Sequence, residues 1–411
     1  MSLTKQNLKD LLPSSTLLIN EICKELTSKG KTVYQFGFGQ SPFPVPDSIV
    51  QALKNNAHQK DYLPSKGLLE LRKSISDFLT NKGYENLNHE NIIIGPGSKE
   101  LMFLLQIAFD GEIILPVPSW VSYAPQAIIA KNKYHWIQTE KHTNWHISPE
   151  HIDKIASQIE SENKLIILNS PNNPSGTNIH LLKELGEVFT KHNFTVLSDE
   201  IYSELYFKDN YKSISHFHKN TIVSSSLSKW AGAGGWRVGY FAVPNSLIEI
   251  FEKLAVLGTE TFSAVSAPSQ FAAITAYRDD HSKYLEKVKK ILHLIAHYVY
   301  GQLKQVDVDM IEPEGGFYLM PDFTKLLSHK FKSSKVFCKT LLDETGVAVL
   351  PGSDFGFSPD KLIFRLSYVD FDGSKFLNAS NDQITEENLK KYAPKIVDGV
   401  KQIINFTLKY K

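Results

Sequence analysis

Between residues 91 and 243, six short apolar runs alternate with helical stretches, and this alternation restricts the fold more than any other feature of the chain. The runs are NIIIG (91–95), EIILP (112–116), KLIILN (164–169), TVLSD (195–199), IVSSS (222–226) and VGYFAV (238–243). Between the third and fourth lies NIHLLKELGEVFTKH, whose apolar positions recur at helical spacing. Strand–helix–strand alternation of this kind predicts an α/β fold, with a mostly parallel sheet covered by helices on both faces.

The flanking regions read differently. LINEICKELTSKG near the N-terminus predicts a helix with a Gly stop, and YQFGFGQSPFPVP (34–46) is too rich in Gly and Pro to be anything but a loop. SIVQALKNNAHQ and GLLELRKSISDFLTNKG follow as helices. After the long helical stretch KYLEKVKKILHLIAHYVYGQLKQ come GGFYLMPDF (315–323), GVAVLPGSDFG (346–356), KLIFRLSYV (361–369) and a final helix near ENLKKYAPKIVDGVKQIINF. With 411 residues the chain is long enough for two domains. The expected division is a large domain over 48–290 and a smaller α+β domain built from 1–47 and 291–411.

Composition excludes several classes. A formal net charge of +1 and no basic run leave nothing to hold nucleic acid. Cys23 and Cys338 are the only cysteines, too few and too far apart for a disulfide framework or a zinc site. No metal cluster is expected. The N-terminus lacks the apolar centre of a signal peptide, and no apolar run is long enough to span a bilayer, so a cytoplasmic protein is expected. Among 45 basic residues only Arg72, Arg237, Arg278 and Arg365 are arginines, so any site needing a guanidinium has few candidates.

In open α/β sheets, functional residues gather beyond the carboxyl ends of the strands. That rule selects GPGSKE after the first run, PVPSW after the second, NSPNNPSG after the third, DEIY at the end of the fourth and SLSK after the fifth. The last continues as SSSLSKWAGAGGWRVGY (224–240), which sets one lysine and one arginine among small residues. Two familiar explanations fail. A P-loop needs Ser or Thr after its lysine, where Trp230 stands, and the dinucleotide fingerprint needs a glycine where Arg237 stands.

A lysine at a strand end among small residues can be partly desolvated, which favours the neutral, nucleophilic amine. Lys229 is therefore a candidate for an imine with a carbonyl cofactor, and pyridoxal phosphate fits. Asp199 is placed to pair with the ring nitrogen, Tyr202 and Asn173 to reach the phenolate oxygen, and Trp120 to stack on the ring. The helix opened by Ser98 and Lys99 offers free N–H groups to a phosphate, Ser226 and Ser228 offer hydroxyls, and Arg237 a guanidinium fork. Arg365, inside an apolar run, needs a carboxylate partner, either from an internal salt bridge or from an amino acid substrate. Each residue also has an ordinary reading: surface lysine, helix cap, turn, core aromatic.

Taken in order, SLSKWAGAGGWRVG, PNNPSG, DEIY, PVPSW, GSK and FRLSY resemble the motifs of the class I/II aminotransferases, the aspartate aminotransferase-like branch of fold type I pyridoxal enzymes. DYLPSKGLLELR (61–72) is similar to that family's early Tyr segment, and the resemblance spans roughly residues 30 to 395. It implies a seven-stranded, mostly parallel sheet and transfer of an amino group from an L-amino acid to a 2-oxo acid. Lys229 would form the Schiff base and move the proton through a quinonoid intermediate. Arg365 would hold the α-carboxylate, with Trp120, Asn173 and the backbone of Gly39 also against the substrate. Tyr62 would reach the phosphate of a neighbouring subunit in a homodimer with shared sites. A pyridoxal-dependent carbon–sulfur β-lyase on the same fold is the alternative.

Three features depart from the family's pattern. GQSPFPVP stands where an acidic G-E-P-D-F type of loop is commoner, and DFDGSKFLNASNDQITEEN (370–388) looks like an insertion. LGTETFSAVSAPSQF (257–271) lacks the second arginine that aspartate-specific relatives use, and Arg278 lies too far along a helix to replace it.

Overall fold

The computed structural model describes residues 3–411. Twelve strands follow in chain order: β1 (Tyr34–Gln35), β2 (Ile92–Gly95), β3 (Glu112–Val117), β4 (Tyr134–Gln138), β5 (Lys164–Asn169), β6 (Phe194–Asp199), β7 (Thr221–Ser226), β8 (Gly239–Ala242), β9 (Tyr318–Leu319), β10 (Val347–Ala348), β11 (Leu350–Pro351) and β12 (Phe364–Ser367). Seven form one sheet in the order β2-β8-β7-β6-β5-β3-β4. Every neighbouring pair is parallel except the two made by β8.

The six runs read from the sequence are all strands of this sheet, each within a residue of its expected span. Both faces are covered, which is why these strands are apolar throughout rather than alternating. Ile113, Leu115, Leu165 and Ile167 pack on one side with the helix Ser98–Ala108. Ile114, Ile166 and Leu168 pack on the other with the helix Leu182–Lys191. The seventh strand, β4, has a different pattern. In YHWIQ only Ile137 is buried, because an edge strand is half solvated and carries no continuous apolar run.

The expected helix over 178–192 begins only at Leu182, and the Asn178 N–H before it is given to Glu314 Oε2 at 2.9 Å. The run GVAVLPG divides between β10 and β11, which serve different sheets. β10 pairs in parallel with β1, so the chain's beginning is tied to its end, and β11, β12 and β9 form an antiparallel sheet beside it. The final helix is broken at Ala393. Pro394 opens its second part, Pro394–Tyr410, where the missing N–H costs nothing.

The β8 reversal positions the loop that carries Lys229 and Arg237. Because β7 and β8 are antiparallel neighbours, residues 227–238 leave and re-enter the sheet at one rim. That rim also receives the carboxyl ends of β2, β3, β5 and β6.

Candidate active site

A cavity of about 520 Å³ opens over this rim. Its floor and walls include Lys229, Asp199, Asn173, Tyr202, Trp120 and Arg365. Gly39, Ser98, Lys99, Ser228 and Arg237 also reach it, so residues spread over more than three hundred positions share one surface. Ser226 does not line it, and neither does Tyr62, which is expected to reach a neighbouring subunit's phosphate instead. Ser226 is fully buried and its Oγ accepts the Ser228 N–H at 3.1 Å, shaping the loop from behind. Tyr62 is 92% exposed and lies away from the cavity of its own chain.

The Lys229 ammonium donates to the Gly39 carbonyl at 2.6 Å. It lies 5.7 and 5.8 Å from the ring centres of Tyr202 and Phe317. Burial pulls its pKa below the ordinary lysine value, with Tyr318 opposing and Arg365 adding to the shift. The Gly39 backbone comes this close because it has no side chain. A Cβ there would fall 1.9 Å from the Tyr318 hydroxyl oxygen.

Asp199 ends β6 and is buried, its Oδ2 accepting the Tyr123 hydroxyl at 2.6 Å. Burial raises its pKa to about 6, while the Tyr123 hydrogen bond pulls the other way. Asn169, its register partner on β5, donates to the Asp199 carbonyl at 2.7 Å and accepts the Asn173 N–H at 2.5 Å. Asn173 Oδ1 in turn accepts from Arg365 Nη1 at 3.1 Å.

Arg365 is 1% exposed. Its Nη2 donates to the Gly37 carbonyl at 2.6 Å, its guanidinium stacks 4.6 Å from the Tyr318 ring centre, and its Nε has no partner. Among the described residues no carboxylate stands within ion-pairing distance of it. The internal salt bridge left open by the sequence is therefore absent among them.

The part of the cavity at Ser98 and Arg237 is built from backbone. Gly97, at φ +84°, turns β2 into the helix Ser98–Ala108, and a Cβ there would lie 2.1 Å from Arg237 Nη2. Arg237 itself takes the left-handed conformation at φ +55° and donates to the carbonyls of Gly234 and Pro96 at 2.8 and 2.9 Å. The Lys99 ammonium lies 5.4 Å from the Trp120 ring centre, and no carboxylate among the described residues pairs with it.

Tyr123, Asn169 and Tyr318 were not singled out from the sequence. Tyr123 stands three residues after Trp120, and Asn169 is the polar end of an apolar strand, a position that the strand-end rule already marks. Tyr318 carries no signal of its own within an aromatic run.

The family model for aminotransferase class I and II matches residues 31–372. This chain belongs to that family. Its relatives include an aspartate aminotransferase of Bacillus subtilis, 34% identical over 87% of this chain and 92% of the relative. An aspartate aminotransferase of Geobacillus stearothermophilus is 33% identical over 90% and 95% of the two chains. The crystal structure of an aspartate aminotransferase from Thermotoga maritima superposes with a TM-score of 0.82 at 25% identity, covering 98% of this chain and 99% of the other. The enzyme is a pyridoxal-phosphate-dependent aminotransferase. Its site fits that cofactor: a buried carboxylate for the ring nitrogen, an amine of lowered basicity for the aldehyde, and a helix start with a guanidinium beside it for the phosphate.

Proposed function

We propose that this aminotransferase takes an acidic amino acid of the aspartate type as donor and a dicarboxylic 2-oxo acid as acceptor. One observation carries the assignment of the substrate side: Arg365 is buried among neutral acceptors with Nε free. A desolvated guanidinium without a counter-ion is costly, and a bidentate α-carboxylate relieves that cost. The names of the relatives support the acidic donor. Since the stretch 257–271 offers no arginine, we assign the side-chain carboxylate to the Lys99 ammonium on the cavity wall.

Bound pyridoxal phosphate supplies an aldehyde and an electron-accepting ring. Asp199 would hold the ring nitrogen protonated, Trp120 would stack on the ring face, and Asn173 and Tyr202 would donate to its phenolate oxygen. The N–H groups of Ser98 and Lys99, the Ser228 hydroxyl and the Arg237 guanidinium would hold its phosphate, with Ser226 holding the Ser228 backbone. Lys229 would hold the aldehyde with its amine, and as a neutral amine it would move the proton of the donor's Cα. Its lowered basicity suits that task, because the neutral amine is the base.

The division into a large domain at 48–290 and a small one at 1–47 and 291–411 is supported by the β1–β10 pairing and by a cavity lined from all three stretches. We further infer a cytoplasmic homodimer in which Tyr62 serves the partner's phosphate. The exposure of that side chain in a single chain agrees with this role. No helix of the described residues is long and apolar enough to cross a membrane.

The test is a panel of amino donors with 2-oxoglutarate and pyruvate as acceptors. Aspartate with 2-oxoglutarate is expected to give glutamate and oxaloacetate at the highest kcat/KM. Release of pyruvate and ammonia from a donor alone would instead identify a β-lyase.

A further inference from the structure

Residues 370–392 take no part in the site described above, and the family match ends at residue 372. The segment is nevertheless well anchored. Asp372 Oδ1 caps the helix Gly373–Leu377 by accepting the N–H groups of Ser374 and Lys375 at 3.1 and 3.3 Å. Phe376 stacks on Tyr392 with ring centres 4.9 Å apart and planes 14° apart. Lys287 and Lys290, on the helix Ser282–Lys304, donate to the carbonyls of Ala379 and Asn381 at 2.6 and 2.9 Å.

Its other side bears on the loop 37–46. Phe371 meets Phe43 edge to face at 5.7 Å and 77°. Gly373 lies so near Pro42 that a Cβ would fall 2.3 Å from the Pro42 carbonyl oxygen. Beyond Phe43 stands the lysine-bearing loop, where a Cβ on Gly232 would fall 2.6 Å from the Phe43 carbonyl oxygen. Phe43 is thus held between residues 370–373 and the loop of Lys229. The loop 37–46 provides the Gly37 carbonyl to Arg365 and the Gly39 carbonyl to Lys229.

We propose that residues 370–392 are a brace that fixes the loop 37–46, making Phe371 and Gly373 positioning residues for donor binding. The brace sets where two carbonyls stand against the two cations of the site. Only the kinetic arm of its test rests on the assignment of Arg365 to the donor's carboxylate.

Hydrogen exchange on the holoenzyme tests it. In Phe371→Ala the amides of residues 37–46 are expected to exchange about tenfold faster, the scale of one lost aromatic pair, while the helix Ser98–Ala108 is unchanged. The donor KM rises by a similar factor, kcat changes by less than about twofold, and cofactor affinity holds. Phe371→Leu restores most of the protection and serves as the variant should the alanine form not fold. Unchanged exchange at 37–46 overturns the brace, as does acceleration spread over the whole chain with cofactor loss. If the wild-type enzyme accepts no donor, the proposed function fails, and exchange at 37–46 still decides the brace.

Discussion

Tyr123 donates its hydroxyl to Asp199 Oδ2 at 2.6 Å, and both side chains are closed off from solvent. Burial gives Asp199 a pKa of about 6 in the cofactor-free protein, above the roughly 4 of an unfolded chain, against the pull of the Tyr123 hydrogen bond. The folded state therefore holds this proton more tightly. The stability it contributes is complete below pH ~4 and is lost as the pH rises through 6, an amount of about 3 kcal/mol. His146, held down to about 4 by burial, has the opposite slope over nearly the same range, so the wild-type profile alone hides the effect. Denaturant unfolding of the cofactor-free wild type and of Asp199→Asn isolates it. The wild type should lose about 3 kcal/mol relative to the variant between pH 4 and 7, whereas a constant difference would contradict the assignment.

Removing the Tyr123 hydroxyl takes away the hydrogen bond that favours the Asp199 carboxylate. Tyr123→Phe should push the Asp199 pKa further up and weaken cofactor binding roughly tenfold, the scale of one hydrogen bond to a charged group. Equilibrium dialysis of pyridoxal phosphate measures this. An affinity equal to the wild type's would show that Tyr123 does not tune the carboxylate.

Arg365→Lys replaces a planar fork by a single ammonium. The hydrogen bonds to Asn173 and Gly37 cannot both be kept along with a bidentate grip on substrate. The kcat/KM for every amino donor should fall about a hundredfold or more, with cofactor affinity little changed. A loss confined to one donor would assign this arginine to side-chain recognition instead.

Lys99→Met keeps the backbone N–H at the helix start and removes the charge over Trp120. Aspartate should lose about tenfold in kcat/KM while alanine is unaffected. Equal losses for both donors, accompanied by weaker cofactor binding, would place the ammonium at the phosphate.

Much of this site was legible because strand ends are legible. Asp199 ends, and Asn173, Trp120 and Lys229 follow, a run that reads as a strand, and the rim gathers them whatever the loops do. Tertiary contacts were not readable in the same way. Nothing in YHWIQ announces an edge strand, since its pattern is only half apolar. Ser226 reads as a phosphate ligand because it closes the run IVSSS at a strand end and carries a hydroxyl. Its burial depends on the pairing of β7 with β8, which puts it opposite Gly239 inside the sheet. The role of residues 370–392 depends on contacts with Pro42 and Phe43, more than three hundred positions away.

The central claim is that Lys229, alone among the lysines, bonds the cofactor's aldehyde. Borohydride reduction of the holoenzyme followed by peptide mapping measures it directly. The account predicts the cofactor's mass on the peptide containing Lys229, and none bound covalently in Lys229→Ala treated alike. The cofactor's mass on a different lysine, or its persistence in the Lys229→Ala protein, would contradict it.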